Sequence, residues 1–113
     1  MNTSTEISIS ICQFKVGANK NENLDKARDF INNSAKQGAQ IIVLPECFIG
    51  LYDINEFLNI AETINNSDSY NMLKKASKDY KDIYIFGGTI IEKENDKLYN
   101  TCFVFKNGKL LDF

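Results

Sequence analysis

The chain has 113 residues, 43% hydrophobic and 25% charged, an ordinary globular balance for one small domain or a piece of a larger one. Its formal net charge is −2, with lysines scattered among acids, which excludes the basic footprint of a nucleic-acid or anionic-membrane binder. It contains no histidine, so Ser-His-Asp and Cys-His catalysis and His-containing zinc sites are excluded within it.

No apolar stretch approaches the ~20 residues that span a bilayer. The opening MNTSTEISIS lacks the basic region and apolar core of a secretory signal. Three cysteines, Cys12, Cys47 and Cys102, lie far apart with no C-x-x-C pair, so a reduced, cytoplasmic protein is expected. The N-x-S triplets at Asn2, Asn32 and Asn65 then read as chance in an Asn-rich chain.

Ile7 to Phe14 alternates isoleucine with serine, which predicts a strand with one polar face. Leu24, Ala27, Ile31 and Ala35 recur at helical spacing and predict a helix over 22–37, capped by Asn21 or Asn23 and ended by Gly38. QIIVL has no polar face and reads as a strand covered on both sides, stopped by Pro45. Ile54, Phe57, Leu58 and Ala61 give a short helical pattern over 53–64. Met72, Leu73, Ala76 and Tyr80 give a second amphipathic helix, with Lys74, Lys75 and Lys78 on its solvated side.

IYIFGGTII, apolar on both faces, predicts a buried strand, with Gly87-Gly88 marking a bulge or a close backbone approach. After the polar turn EKENDK, LYNTCFVF places Tyr99, Thr101, Phe103 and Phe105 on one face. KNGK is a hairpin turn, and LLDF opens a last strand. Helical crossovers followed by hairpin strands predict an α/β fold, a mixed sheet with helices on one face. The other face is also apolar, with nothing in the chain to cover it.

IIVLPECF sets Glu46 just after four aliphatic residues and Pro45. Ligands of open α/β sheets bind at the carboxyl ends of the strands, and Glu46 is predicted at such an end, beside Phe48. Partial burial there would tune a carboxylate toward general-base strength. A salt-bridged or solvent-exposed loop glutamate fits the same position.

IIVLPECF also resembles the first signature of the nitrilase superfamily of carbon–nitrogen hydrolases, and the likeness runs along the chain. Cys12-Gln13-Phe14 is similar to the family's opening strand, and Asn23-Leu24 to its first helix. FGGTIIE resembles its Gly-Gly-Ser/Thr-Ile-Pro-Glu strand, with Ile91 in the place of the usual proline, and LYNTCFVFKNGKLL resembles its Tyr-Asn-Thr hairpin. Pro-Glu-Cys-Phe with Tyr52 six residues after Glu46 is most like the omega-amidase branch.

The resemblance implies the N-terminal portion of an α-β-β-α sandwich, with residues 1–113 supplying close to half of it. It implies hydrolysis of a non-peptide carbon–nitrogen bond by a Glu-Lys-Cys triad, in which Glu46 is the base. A small-molecule amide substrate and a homo-oligomer follow from it, with no cofactor and no metal. The family's lysine lies in an Arg-Lys-x-His-Leu motif and its nucleophilic cysteine later still; the chain reaches LLDF before either, so alone it is expected to be inactive. Lys106 and Lys109, flanking the hairpin turn, read as solvated lysines. Cys47, Cys12 and Cys102 read as packing residues, since adjacent side chains on extended backbone point apart. Tyr52 either lines the substrate pocket, as the resemblance implies, or packs under its loop. Asn100 is expected to satisfy backbone groups near the pocket.

Two other readings compete. A truncated, inactive paralogue could serve as a binding or assembly partner through its exposed sheet edges. A nucleotide-binding domain fits poorly, because Gly87-Gly88 matches neither G-x-G-x-x-G nor a phosphate loop.

Overall fold

The computed structural model of the chain describes residues 5–113; the Asn2 triplet lies outside them. Strand β1 (Ile9–Ile11) leads into helix α1 (Lys20–Lys36) and strand β2 (Ile41–Val43), followed by a single turn, α2 (Phe57–Ile60), and helix α3 (Asp68–Asp79). Strands β3 (Tyr84–Phe86), β4 (Ile90–Glu94), β5 (Lys97–Thr101), β6 (Val104–Lys106) and β7 (Lys109–Asp112) complete the chain. The main sheet runs β1-β2-β3-β6-β7, parallel across the first three strands and antiparallel thereafter. The expected α/β architecture, a mixed sheet with helices on one face, is present.

Register sorts the sheet into rows. Ser10, Ile42, Ile85 and Phe105 are cross-strand neighbours on the inner face, where Ile42, Ile85 and Phe105 are fully buried under Ala27 and Ile31 of α1 and Leu73 of α3. Each such apolar side chain contributes about 1.5–3 kcal/mol of transfer free energy. The flanking rows, Ile9-Ile41-Tyr84 and Ile11-Val43-Phe86-Val104, face the other way. Ile9 is 56% exposed and Ile11 79%, so the second sheet face is apolar and open. Ile41 and Val43 are only half-buried, which corrects the expectation that β2 is covered on both sides.

The polar face of β1 is the one turned inward. Ser10 Oγ lies 2.6 Å from the Oγ of Ser34, which sits buried on α1 next to Cys12. Two small hydroxyls satisfy each other there and let the helix approach the strand.

Helix α1 starts two residues earlier than expected. Its cap is Asn19, whose side chain accepts the Glu22 N–H at 3.1 Å. Asn23, expected as a possible cap, is fully buried inside the helix. Its side-chain amide both accepts from and donates to the backbone of Gly17, folding the entry loop. Gly38, at φ +90°, ends the helix as expected.

The 53–64 pattern is not realised as a packed helix. Only α2 forms, it buries no residue, and Ile54 and Leu58 are exposed. Periodicity alone could not supply the neighbour that such a face needs. By contrast α3 buries Met72, Leu73 and Ala76, while Lys74, Lys75 and Lys78 are solvated.

The two long strands read from IYIFGGTII and LYNTCFVF are each broken in the middle. Their first and last parts, β3 and β6, belong to the main sheet, whereas β4 and β5 form a separate two-stranded hairpin. The break falls at Gly87–Thr89 on one strand and Cys102–Phe103 on the other. Thr101, Phe103 and Phe105 are buried on one face as expected; Tyr99, past the break, is 44% exposed. The KNGK turn holds Asn107 and Gly108 at φ +52° and +76°, the geometry of a tight hairpin. Among the described residues no helix is long and apolar enough to cross a membrane.

Candidate active site

Pro45 follows the carboxyl end of β2, and the chain then turns over residues 46–49. Cys47 carries that turn at φ +49°, a left-handed conformation that non-glycine residues seldom adopt. The strand-end placement of Glu46 is as expected, but its burial is not. The Glu46 side chain is exposed, because the turn lifts it clear of the core while Phe48 and Ile49 plunge into it.

The turn is gripped by the segment that follows β3. Thr89 N–H donates to Pro45 O at 3.3 Å, Thr89 Oγ1 accepts the Cys47 N–H at 2.8 Å, and Thr89 O accepts the Phe48 N–H at 3.3 Å. Gly88 lies against the same stretch, at φ +57°; a Cβ there would come within 1.9 Å of Pro45 O. This is the close approach that the glycine pair predicted.

One further residue reaches the carboxylate. Asn100 Nδ2 on β5 donates to Glu46 Oε1 at 3.0 Å. Asn100 was expected to satisfy backbone groups, and the structure assigns it to Glu46 instead. Among the described residues no other side chain hydrogen-bonds that carboxylate, and no cation pairs with it. Oε2 has no hydrogen-bond partner among the described residues. Beside Asn100 an open groove of about 420 Å³ runs along β5, lined by Tyr99, Thr101 and Cys102. A larger cleft, about 610 Å³, lies between α1 and α3 and includes neither Glu46 nor Asn100.

Cys47 is almost fully buried, its thiol 3.6 Å from Gly50 O. Burial, and then the neighbouring Glu46 charge, push that thiol up from its ordinary range, which opposes the thiolate a nucleophile needs. The packing role stands, although a left-handed turn, not extended backbone, separates the two side chains. Cys12 is buried in the core. Cys102 is only half-buried, and burial also pushes its thiol up, against a smaller opposing effect of a backbone hydrogen bond from Gly87.

Tyr52 is 70% exposed and packs edge-on against Phe57, 5.5 Å between ring centres. It makes no hydrogen bond to Glu46. Lys106 lies at the opposite end of the sheet, near the amino end of β3, with its ammonium 4.4 Å over the Tyr84 ring; Lys109 is exposed.

A second acidic residue went unnoticed in the sequence. Glu62 is 3% exposed and accepts hydrogen bonds from Ser67 Oγ (2.5 Å), Ser69 N–H (3.0 Å) and Ser69 Oγ (2.7 Å), with Lys20 Nζ at 3.1 Å. Its backbone bonds Ile91 and Lys93 of β4. Glu62 thus ties together the starts of α1 and α3 and the edge of the hairpin. Two of its partners, Ser67 and Ser69, follow within seven residues, but the cation comes from Lys20 at the start of α1.

Comparison with known proteins identifies the family and the fold. The sequence model of the carbon-nitrogen hydrolase family matches residues 8–112. The omega-amidase of Bos taurus is 43% identical over 104 residues, covering 91% of this chain and 37% of the relative; the Homo sapiens omega-amidase is 39% identical over 108 residues. The chain thus spans less than two-fifths of the length of these curated relatives. Among solved structures, Saccharomyces cerevisiae Nit3, of the nitrilase superfamily, superposes with a TM-score of 0.81 at 31% identity, over 94% of this chain and 42% of that one. An amidase from Nesterenkonia sp. AN1 shares the fold, with a TM-score of 0.80 at 17% identity over 99% of this chain and 43% of that one. The layer of helices on a mixed sheet is the N-terminal portion of that sandwich, and the chain belongs to the carbon-nitrogen hydrolase family.

Proposed function

We propose that residues 1–113 are the N-terminal part of an enzyme that hydrolyses a non-peptide amide bond, with Glu46 as its general base. The observation that carries this reading is a carboxylate at the carboxyl end of β2, held through Oε1 by Asn100 and free at Oε2. Such a group can accept a thiol proton while the sulfur attacks the amide carbon. It then gives that proton to the nitrogen as the C–N bond breaks and ammonia leaves. Water cleaves the thioester, and the thiol and carboxylate are restored. A lysine ammonium facing the oxyanion stabilises the tetrahedral states.

The buried thiol of Cys47 and the distant Lys106 argue that the nucleophile and the cation come from outside these residues. The identity to omega-amidases supports a dicarboxylate monoamide as substrate, with Tyr52, on the loop beyond the turn, toward the substrate side. A cytoplasmic homo-oligomer belongs to the same reading. The chain alone turns nothing over; Glu46-dependent hydrolysis by the purified chain would contradict that. The positive test grafts residues 8–112 in place of the matching segment of the bovine omega-amidase. A folded graft that hydrolyses a dicarboxylate monoamide supports the reading, and a folded, inactive graft contradicts it.

The open apolar face, with Ile9, Ile11 and Leu111 exposed, favours a second reading: an inactive paralogue assembling with a full-length subunit. Co-purification of the two chains, with no Glu46-dependent activity in the graft, is the outcome that selects it.

A further inference from the structure

Three backbone groups of one turn, on Pro45, Cys47 and Phe48, converge on one residue, Thr89, and one of the three bonds is made by its side chain. We infer that Thr89 is a positioning residue for Glu46, acting through its hydroxyl. The inference rests on the reading of Glu46 as the base.

The peptide group between Glu46 and Cys47 carries the N–H that Thr89 Oγ1 accepts at 2.8 Å. Fixing that peptide plane fixes ψ of Glu46, and with it the direction in which the Glu46 side chain leaves the backbone. It also holds Cys47 at φ +49°, which costs conformational energy in a residue with a Cβ and persists only where surrounding bonds enforce it. The Thr89 backbone bonds, at 3.3 Å to Pro45 and Phe48, flank the plane without touching it. Removing the hydroxyl alone therefore frees the peptide group that follows Glu46, while the Thr89 N–H keeps its bond to the carbonyl of the peptide that precedes it. Asn100 then holds the far end of the same side chain, across a ladder in which Ile91 pairs with Asn100 and Ile90 with Thr101. The backbone around Glu46 is thus held by Thr89, the residue just before β4, and its carboxylate by Asn100 on the paired strand β5.

The test uses the 113-residue chain and nuclear magnetic resonance. In the unsubstituted chain, acid titration shifts the Asn100 side-chain amide signals as Glu46 takes up a proton, and Glu46→Gln abolishes that response. Thr89→Val keeps the branched shape and removes the acceptor. It is expected to abolish the Asn100 response and to speed hydrogen exchange at the Cys47 amide about 10-fold. Thr89→Ser, which keeps the hydroxyl, restores both. A Thr89→Val chain whose Cys47 exchange and Asn100 response are unchanged overturns the inference. Should that variant not fold, exchange in the unsubstituted chain decides: protection of the Cys47 amide by about 100-fold supports the tether, and exchange at an unstructured rate overturns it. These readouts involve no turnover, so they fail independently of the base assignment, which falls only if hydrolysis survives Glu46→Gln.

Discussion

Glu46 and Glu62 each follow an apolar stretch and each touch the β4–β5 hairpin, yet the chain treats them in opposite ways. Glu62 is buried with three hydrogen bonds from serines and a lysine ammonium, so both of its oxygens are occupied. Glu46 is exposed, accepts one bond from Asn100, and keeps one oxygen open. A carboxylate whose oxygens are both taken by donors is fixed in place, whereas one with an open oxygen leaves room for another group to approach. The two acids thus differ in the number of donors they accept as well as in depth.

That contrast breaks most visibly at Glu62. Glu62→Ala would leave Ser67, Ser69 and Lys20 without their common partner and is expected to cost about 3–5 kcal/mol, measured by urea unfolding. A loss no larger than that of an exposed surface glutamate would remove Glu62 from its structural role. Next in size is Gly88→Ala. A methyl placed 1.9 Å from Pro45 O, at φ +57°, must push the turn away, and a destabilisation of about 2–3 kcal/mol is expected. Unchanged stability, with the Asn100–Glu46 bond intact, would show that the turn is not clamped.

The smallest effect sharpens the assignment of Cys47 as inert. Its thiol is pushed up in the folded chain, by burial first and by Glu46 second. The folded chain therefore keeps its proton where an unfolded cysteine loses it. This contribution to stability is complete below about pH 8.5 and is lost as pH rises toward the folded value. Cys47→Ala is expected to flatten the fall in unfolding midpoint above about pH 8.5. An equally steep fall in that variant would remove Cys47 as its source.

Where the sequence was readable, the signal was local stereochemistry. Gly87-Gly88 announced a close approach because no side chain fits beneath Pro45 O, and Asn107-Gly108 announced a turn that needs two positive φ values. The position of Glu46 at a strand end followed from Pro45. What could not be read was set by distant partners. Alternation in ISISICQF located β1 but could not say that Ser10 faces Ser34 and the isoleucines face outward. The 53–64 pattern lacked a neighbour to pack against. The exposure of Glu46 depended on a left-handed Cys47, and no glycine marked it. Asn100 acquires its role only when the hairpin brings it to the end of β2, and Glu62 only when the starts of α1 and α3 meet.

The most direct measurement compares Glu46→Gln and Glu62→Gln in the omega-amidase graft, reading kcat and thermal stability together. The account predicts that Glu46→Gln lowers kcat by about 1,000-fold with the melting temperature unchanged, and that Glu62→Gln lowers the melting temperature while folded molecules keep their turnover. Hydrolysis undiminished by Glu46→Gln would contradict it.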